Sequence, residues 1–449
     1  MNKFSKFKII FAILFLGLFG WAKNSQAANL YVRDGATGST CSDWDLGSAC
    51  DQLSTAENLA ARGDTIFLAV GSYNAVTLNT AVSGTAYIYI KKATSGAHGT
   101  DTGWDSGYGD GQAVIARATV TTGYWDIDGI TGGGPSSWKV GHGIKFYNTT
   151  YDTLFTMTNA PSNIAIRHSE FAFDTTEVSD SDAADHIYGN TAVSNFTLEY
   201  SYLHDSTRTF FLTRNWQNVL VQYNWFARNR STSGVHAEGW SDNYGDYYTI
   251  RYNVWEDIEG TGVVVNLTGD DYNWEIYGNM VFWNDSTSAI YTGVNNGIFT
   301  TRSAAAQAYN WKIYNNSVFN HRGINASYHL YEGNSNAVYN NLWYRCKNYT
   351  ITEMADSDYN TMIQCGSGNA EGEHDTDLPF GSDPYVDSAN GDFRLSGALA
   401  GLALSAIYES DLTGVVRGTD GVWDRGAYEY VSGSSDIIPP ANPTGLSVS

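Results

Sequence analysis

The sequence predicts an all-β solenoid. Three observations support this: an internal repeat, a column of asparagines within it, and apolar residues on either side of that column. The repeat can be aligned on one register from seven starting residues. These are Ile164, Phe196, Val219, Tyr248, Trp274, Trp311 and Asn336. A short strand, a polar turn and a second strand, repeated along the chain, is the pattern of stacked solenoid coils.

Three columns of the repeat identify the two strands and the turn between them. An aliphatic residue stands two places after each start: Ile166, Leu198, Val221, Ile250, Ile276, Ile313 and Val338. Ser or Asn stands five places after each start: Ser169, Ser201, Asn224, Asn253, Asn279, Asn316 and Asn341. An apolar residue stands seven places after each start: Phe171, Leu203, Phe226, Trp255, Val281, Val318 and Trp343. Stacked amides at a tight inward bend can hydrogen-bond to one another and to the turn backbone, so the middle column predicts an asparagine ladder.

Residues 1–27 have the features of a secretory signal peptide. Three lysines precede an apolar run over residues 9–20, and small residues follow up to Ala27, where cleavage is predicted. The run is too short for a stable membrane span. We therefore expect a mature chain that is secreted, extracellular or periplasmic, with no membrane insertion after signal cleavage.

Acidic residues outnumber basic ones, 47 to 25, which gives a formal net charge of −22. This balance disfavours nucleic acid as a partner, because nucleic-acid binding needs a basic footprint. It also repels polyanions unless a cation or a local basic patch intervenes. Outside the cell, many carboxylates are compatible with bound Ca²⁺, and equally with simple solubility.

The four cysteines form two local pairs, Cys41 with Cys50 and Cys346 with Cys365. A secreted protein can oxidise such pairs, so both are predicted to be disulfides. Neither pair has the spacing of a metal site.

The solenoid is expected to span residues 28–432 as one domain, because a repeat protein grows in one dimension. A short helix predicted near residues 54–61 can cap the N-terminal end, where strand edges would otherwise be exposed. Over residues 383–430 the repeat fades into a predicted C-terminal cap. Residues 433–449 contain Ser, Gly and Pro runs, and predict a linker and the start of a fibronectin-type module.

The chain resembles right-handed parallel β-helix proteins, through its asparagine ladder and through motifs at both ends. These motifs are Asp64-Thr65-Ile66 with Gly71-Ser72-Tyr73, and Gly391-Asp392-Phe393-Arg394-Leu395 with Asp424-Arg425-Gly426-Ala427-Tyr428-Glu429. The superfamily includes pectate-lyase-like and alginate-lyase-like polysaccharide lyases. The resemblance covers nearly all of the mature chain but specifies fold more than function. It implies a polysaccharide partner, bound in a loop-walled groove outside one sheet.

The strands of that sheet are predicted just before each repeat start. Alternation places every second residue on the outer face. One outward column then reads His186, Phe211, His236, Val264 and Tyr291, and the next reads Tyr188, Thr213, Glu238, Asn266 and Gly293. A slip of one residue would exchange the two faces.

The two histidines with their neighbours make the best constellation for chemistry, since His titrates near neutrality and is the usual acid or base. His236 is the predicted base, Glu238 its orienting partner or a metal ligand, and His186 or Tyr188 a partner in binding or proton delivery. Strands about 4.8 Å apart place the histidines roughly 10 Å from each other, which leaves room for a sugar ring. The alternative is that these side chains are merely solvated.

A lyase must also neutralise the uronate carboxylate beside the proton it removes. The alginate-lyase-like pattern implies a Lys base with an Arg, yet no Lys occurs between Lys145 and Lys312. Arg208, Arg214 or a Ca²⁺ ion is therefore the predicted neutraliser. Further substrate-binding residues are predicted in and beside the same sheet: Phe211, Trp216, Trp240, Tyr244, Asn266 and Tyr291.

Two other polar groups have predicted roles. Asp180, Asp182 and Asp185 lie in an acidic loop that could bind Ca²⁺ or simply be solvated. An outward column on the ladder sheet predicts cross-strand pairs: Arg167, Glu199, Gln222 and Arg251.

These predictions favour a secreted, monomeric, carbohydrate-active enzyme, a polysaccharide lyase that cleaves an acidic glycan by β-elimination. Two alternatives remain. A glycoside hydrolase needs two carboxyl groups roughly 5 to 9.5 Å apart across the scissile bond. A non-catalytic glycan-binding or surface adhesion protein needs only the exposed face.

Overall fold

A computed structural model gives the fold of the chain. It describes residues 27–150, 152–174, 184–206, 208–229, 237–260, 262–284, 298–301, 306–323, 334–346, 356–366 and 372–432. The signal peptide up to residue 26 and the linker over 433–449 lie outside these ranges, so the domain boundaries stay predictions.

The strands are short and follow one another closely. The first twelve are β1 (Asn29–Val32), β2 (Thr65–Leu68), β3 (Gly71–Tyr73), β4 (Val76–Leu78), β5 (Ile88–Lys92), β6 (Ala113–Ile115), β7 (Ala118–Val120), β8 (Trp125–Asp128), β9 (Ile144–Asn148), β10 (Phe155–Met157), β11 (Ser162–Arg167) and β12 (Ser169–Phe173). The next twelve are β13 (Ile187–Gly189), β14 (Ser194–Glu199), β15 (Tyr202–Ser206), β16 (Phe211–Thr213), β17 (Gln217–Gln222), β18 (Trp225–Asn229), β19 (Trp240–Asn243), β20 (Asp246–Arg251), β21 (Val254–Ile258), β22 (Val264–Tyr272), β23 (Glu275–Tyr277) and β24 (Met280–Phe282). The last are β25 (Phe299–Thr301), β26 (Ala306–Tyr309), β27 (Lys312–Tyr314), β28 (Ser317–Phe319), β29 (Ala337–Tyr339), β30 (Leu342–Tyr344), β31 (Asp356–Asp358), β32 (Thr361–Ile363), β33 (Thr376–Leu378), β34 (Tyr385–Asp387) and β35 (Asp392–Leu395).

Parallel pairing between successive coils joins these strands into three sheets. Sheet A runs through β1, β2, β5, β8, β11, β14, β17, β20, β23, β27, β29 and β31, with β26 and the end of β22. Sheet B holds β3, β6, β9, β12, β15, β18, β21, β24, β28, β30, β32 and β33, and sheet C holds β4, β7, β10, β13, β16, β19, β22 and β25. A coil passes from sheet A to B to C, so the predicted parallel β-helix is confirmed.

The asparagine ladder forms the bend between sheets A and B. Asn253 is representative, since its Nδ2 donates to the carbonyl of Val221 at 2.9 Å and to Oδ1 of Asn279 at 3.1 Å, while its backbone N–H donates to the same Oδ1 at 3.0 Å. The ladder continues beyond the aligned repeat to Asn360, whose backbone N–H donates to Asp375. Every amide on the bend therefore has partners, as the sequence predicted.

Both predicted disulfides are confirmed, Cys41–Cys50 and Cys346–Cys365. The predicted N-terminal helix is α1 (Leu53–Leu59), which buries Leu53 and packs against β1, β2 and β4. Its capping role stays a prediction. Three 3₁₀ turns complete the described helices, at Ser106–Gly109, Ser388–Asn390 and Ala406–Tyr408. Within the described part of the chain, none of the helices has the length and apolarity needed to cross a bilayer.

The segment predicted as a C-terminal cap lies along the outer face of sheet B. Phe393 packs on Phe282 and Phe319, with ring centroids 4.9 and 5.6 Å apart. The backbone N–H of Ala427 donates to Oγ of Ser317 at 2.9 Å. This cover occupies the later coils of sheet B, whereas the β9, β12, β15 and β18 part of that sheet carries polar side chains.

Replacing Asn253 by Ala should lower the free energy of unfolding by about 2 kcal/mol, because the carbonyl of Val221 and the amides above and below would be left buried without partners. Chemical unfolding followed by circular dichroism measures this change. Gln217→Ala, an exposed position at the start of β17, is the matched control and should shift the midpoint little. Equal effects of the two substitutions would contradict the role of the ladder.

Candidate functional site

The predicted register of sheet C is wrong at two strands: Ile187 rather than His186 aligns with Phe211, and Trp240 rather than His236 does so in the next coil. Phe211 and Val264, predicted to face outward, face the core, whereas Tyr188 faces outward as predicted. The observed register aligns Ile187, Phe211, Trp240, Val264 and Phe299 across five consecutive coils. All five are fully buried, so this column faces the core. The predicted third strand around residue 236 is replaced by β19, which begins at Trp240.

His186 lies in the interior, contrary to the prediction of an outward position. Its side chain is fully buried beside Phe173 and Phe210, with ring centroids 4.9 and 5.2 Å away. Neither ring nitrogen has a hydrogen-bond partner in the part of the chain that the structure describes. Burial lowers the pKa of His186 well below its usual value, so the imidazole is neutral and has no access to a substrate.

The predicted aromatic platforms are mostly interior as well. Phe211, Trp216 and Trp240 are fully buried, and the two indoles donate to Gly189 O at 3.0 Å and to Thr213 Oγ1 at 2.7 Å. Packing inside the coil, rather than sugar stacking, explains these three side chains.

Of the other predicted binding residues, Asn266 is also fully buried. Tyr244 is 45% exposed, next to the Arg214 guanidinium, which lies 5.7 Å from the ring centroid. Arg214 itself is exposed. The remaining predicted residues, His236, Tyr291, Asp180 and Asp182, lie outside the described residues.

The structure does bring four of the predicted residues together, around the guanidinium of Arg208. Its Nε donates to Oδ1 of Asp185 at 2.8 Å and its Nη2 donates to Oδ2 of the same carboxylate. Asp185, only 1% exposed, also accepts from Thr209 at 2.8 Å. The ion pair raises the pKa of Arg208, whose charge also acts on Tyr188 and Glu238. Asp185 is thus committed to an arginine, which conflicts with its predicted role as a Ca²⁺ ligand.

A second arginine, which the sequence analysis did not single out, is held in the same way one coil further on. Nε and Nη2 of Arg228 donate to the two carboxylate oxygens of Asp205 at 2.6 and 2.9 Å, and Nη2 also lies 3.2 Å from the hydroxyl of Tyr202. Burial alone would lower the pKa of Arg228, but the hydrogen bonds and charges of Asp205 and Tyr202 together outweigh it and the pKa is raised. Burial raises the pKa of Tyr202 to about 12, so its hydroxyl keeps its proton at neutral pH.

The carboxylate of Asp205 is the end of a charged row across the outer face of sheet B. Lys145 Nζ contacts Glu170 Oε1 at 2.7 Å, and the same oxygen lies 3.1 Å from Nε2 of His204. Nδ1 of His204 contacts Asp205 at 2.6 Å. Both ring nitrogens therefore face carboxylates, and Nδ1 also lies 3.2 Å from Nη2 of Arg228. Burial would raise the pKa of Glu170, but its hydrogen bonds lower it to about 2.

We use the name arginine corner for the place where the chain turns from sheet B to sheet C. It comprises Arg208 with its partner Asp185, and Arg228 with its partner Asp205. Asn229 ties the two coils together, with its Nδ2 donating to the carbonyl of Arg208 at 3.0 Å. The arginine side chains are 34% and 32% exposed. Among the described residues, Nη1 of neither arginine has a hydrogen-bond partner.

The arginine corner also has the shortest of three successive connections between sheets B and C. Residues 207–210 make this turn, whereas 174–186 and 230–239 make it in the coils before and after. Two guanidinium groups fixed from behind can bind carboxylates in a defined orientation.

The predicted cross-strand pairs on sheet A are confirmed. Arg167 donates to Glu199 at 2.7 Å, Gln222 donates to Glu199 at 2.6 Å, and Arg251 donates to Gln222 at 2.8 Å. These side chains pair with one another, so their presence on the outer face of sheet A is explained without a ligand. Across the described residues, no group of three or more His, Cys, Asp or Glu side chains is placed to hold a metal ion.

A sequence signal for part of the site was available in the repeat. The column that begins with Phe171 and Leu203 faces inward, so the residues on either side of it face outward. These include Glu170 and His204. Because cross-strand neighbours lie one coil apart, the repeat register already placed Glu170 beside Tyr202.

Comparisons with known proteins support the fold. No protein-family model and no curated protein matches the sequence. Pectate lyase Pel9A matches with a TM-score of 0.51 at 15% identity, over 90% of this chain and 97% of that chain. A rhamnogalacturonan lyase matches with a TM-score of 0.43 at 11% identity, over 90% of this chain and 96% of that chain. The PL6 family polysaccharide lyase Pedsa3628 from Pseudopedobacter saltans matches with a TM-score of 0.41 at 13% identity, over 82% of this chain and 92% of that chain. The likeness to Pel9A shows a shared parallel β-helix fold.

Replacing His186 by Leu should raise the free energy of unfolding near neutral pH by about 1 kcal/mol, because two buried nitrogens without partners are removed. The unfolded chain protonates this histidine below about pH 6.5, whereas the folded chain does not, so the wild type loses stability as the pH falls through that value. Thermal unfolding between about pH 7.5 and about pH 5.5 should therefore show a smaller loss for the variant. A larger loss in the variant, or loss of activity, would restore a functional role for His186.

Proposed function

We propose that this chain is a secreted polysaccharide lyase that cleaves an acidic glycan by β-elimination at the arginine corner. The observation that carries the proposal is the pair Arg208 and Arg228, each fixed by a bidentate carboxylate and each with one nitrogen that no described residue engages. In a protein of net charge −22, such a pair presents oriented hydrogen-bond donors to the carboxylates of a polyanion at short range.

The reaction matches the groups available. A base removes the proton on the carbon beside the uronate carboxylate, the electron pair forms a double bond, and the neighbouring carbon–oxygen bond breaks. Negative charge develops on the carboxylate in the transition state, and a positioned guanidinium stabilises it there. The leaving oxygen needs a proton, which the hydroxyl of Tyr202 can supply because its raised pKa keeps it protonated.

The base is proposed to be His236, two residues before Glu238 and therefore adjacent in sequence to the surroundings of Arg208. Tyr188 is the second choice, since it lies on the outward face of sheet C within the electrostatic reach of Arg208. Glu238 is buried and its backbone carbonyl accepts from Asn229 at 2.6 Å, which fixes the backbone at residue 238.

The carboxylates of the charged row favour a lyase over a hydrolase. A glycosidase needs one carboxylic acid whose pKa is raised, so that it can donate a proton. The pKa of Glu170 and that of Asp205 are instead lowered by hydrogen bonds and charges that together outweigh the effect of burial. Both groups stay ionised and serve to hold cations. Burial raises the pKa of Asp185, but both of its oxygens are engaged by Arg208 and Thr209, so this group does not face a substrate. Two disulfides and a shared fold with a protein named as a pectate lyase agree with a secreted enzyme of this kind.

Changing Arg208 or Arg228 to Lys should reduce kcat/KM about 100-fold or more on the glycan that the enzyme cleaves, because Lys keeps the charge but loses the fixed fork. The purified protein is incubated with a panel of acidic polysaccharides, and the ultraviolet absorbance of unsaturated product is followed together with reducing ends. Arg394, which is held by Asp392 in the same two-point manner, supplies the matched control, and Arg394→Lys should retain full activity.

The panel also decides between the function classes. Reducing ends without absorbance would identify a hydrolase, and binding without either signal would identify a glycan-binding protein. Unsaturated product with unchanged rates in both arginine variants would leave a lyase whose site lies elsewhere.

Replacing His236 by Ala should abolish product formation while leaving substrate binding measurable, because binding depends on the arginines and proton removal on the imidazole. Tyr188→Phe tests the second choice in the same assay. His374→Ala, at a histidine paired with Asp358, is the control and should not change the rate. Full turnover by the His236 variant would assign the base to another residue without affecting the role of the arginines.

A further inference from the structure

A polar column crosses the otherwise apolar interior where sheet C bends into sheet A. It contains Thr213, Asp242, Asn266 and Thr301, one from each of four successive coils. Asp242 pairs with Asn266, and Asn266 pairs with Thr301. All four side chains are buried. Thr213 donates through Oγ1 to Oδ1 of Asp242, which also accepts from the hydroxyl of Tyr248 at 2.8 Å.

A second buried carboxylate, Asp271, lies at the same bend. Its Oδ1 accepts from the backbone N–H of Gly245 at 2.7 Å, and its side chain is fully buried. A Cβ on Gly245 would come within 2.6 Å of Oδ2 of Asp242, so both carboxylates approach this glycine. Among the described residues, no Lys or Arg is paired with either acid. Two buried carboxylates without a counter-charge are unfavourable, so a cation or a proton must neutralise them.

Among the described residues, three oxygens at this place accept no hydrogen bond from a protein N–H or O–H group that stays protonated at neutral pH: Oδ2 of Asp242, Oδ2 of Asp271 and Oδ1 of Asn266. The two carboxyl groups lie close enough to hydrogen-bond to each other when one of them holds a proton. The amide of Asn266 is oriented by its Nδ2, which donates to the carbonyls of Gly269 at 2.9 Å and Gln307 at 3.5 Å. Gln307 belongs to the following coil, so Oδ1 is left on the side of the preceding coil, where Asp242 is the register partner. A buried amide oxygen without a donor, next to two carboxylates, marks a place for a cation.

We propose that Asp242, Asn266 and Asp271 bind one Ca²⁺ ion inside the β-helix, where it links consecutive coils. The oxygens of carboxylates and amides are the ligands that Ca²⁺ prefers, and two carboxylates match its charge. The third ligand is an amide, so the site has only two acidic residues. β22, the longest strand, runs from sheet C into sheet A and contributes Asn266 and Asp271 from its two parts. The ion fixes the bend within this strand.

This site is separate from the arginine corner. Its existence does not depend on the proposed enzymatic activity. The competing explanation is one proton shared by the two carboxylates. Burial raises the pKa of Asp242 to about 7, and burial together with the charge of Asp242 raises the pKa of Asp271, so both explanations agree on the need for neutralisation.

The test uses the mature wild-type protein, passed through a chelating column and gel filtration, with its metal content measured by mass spectrometry. We expect about one Ca²⁺ per chain, and a melting temperature that falls when the ion is stripped and recovers when CaCl₂ is added. Tb³⁺ in place of Ca²⁺ should luminesce on excitation of Tyr248, whose hydroxyl contacts Asp242. Asp271→Asn should abolish the bound metal and the response to CaCl₂.

The matched control is Asp246→Asn, a partly exposed acid of the same bend that accepts from Asn273 at 2.9 Å. It should keep the ion and the Ca²⁺ response. A wild-type protein without bound metal, Tb³⁺ signal or Ca²⁺ response overturns the proposal, whatever the folding of the variants. In that case a higher melting temperature of Asp271→Asn at neutral pH would identify the shared proton.

Discussion

Parallel stacking in register is the constraint on which this structure depends. Each interior position lies directly above its equivalent in the previous coil, at the spacing of neighbouring strands. Similar side chains in consecutive coils must therefore be able to pack on one another. Flat aromatic rings meet this condition: Phe226 lies on Trp255 with centroids 3.9 Å apart, and Trp274 lies on Trp311 at 4.4 Å. Asparagine meets it in another way, because its amide can both donate to and accept from the amide of the next coil. An ionised aspartate only accepts hydrogen bonds, so Asp242, which stacks on Asn266, is an unusual residue for an interior column.

The same constraint explains which parts of the fold could be predicted from the sequence. Sheets A and B lie on either side of the Ser and Asn column that forms the ladder. This column determines the register of both sheets, because a shift of one residue would place Asn in the apolar core. Apart from β22, the strands of sheet C have three or four residues and follow connections of unequal length, so no column of constant residues anchors this sheet. Near residue 240 two alternating patterns were possible. The structure takes the one in which Trp240 stacks on Phe211 at 4.4 Å, since burial of a large aromatic side chain is strongly favourable.

The arginine corner was only partly predictable, for a reason that lies in the backbone. Strand alternation would direct Asp205 and Arg228 inward, as each stands two residues after an inward side chain. Both adopt a left-handed conformation, with φ of 58° and 57°, and the ladder skips them, since His204 pairs with Ala227 and Ser206 with Asn229. The bulge recurs at the same place in consecutive coils, which turns both side chains outward and makes them neighbours. Non-glycine residues of positive φ give little sequence signal, so the outward arginine was missed, whereas Arg208 in a turn was found.

The way the arginines are held bears on how an acidic protein can bind an acidic chain. Each guanidinium is neutralised by its own carboxylate, so the corner contributes little to long-range attraction, and the negative charge of the whole chain still opposes approach. What the pairing provides is orientation. With Nε and Nη2 tied to a carboxylate, little side-chain entropy remains to be lost when a ligand carboxylate meets Nη1. Recognition is therefore short-range and directional, and it depends on the fork of the guanidinium more than on its charge. A glycan whose carboxylates are spaced to meet both arginines across one coil is distinguished from other polyanions by geometry alone.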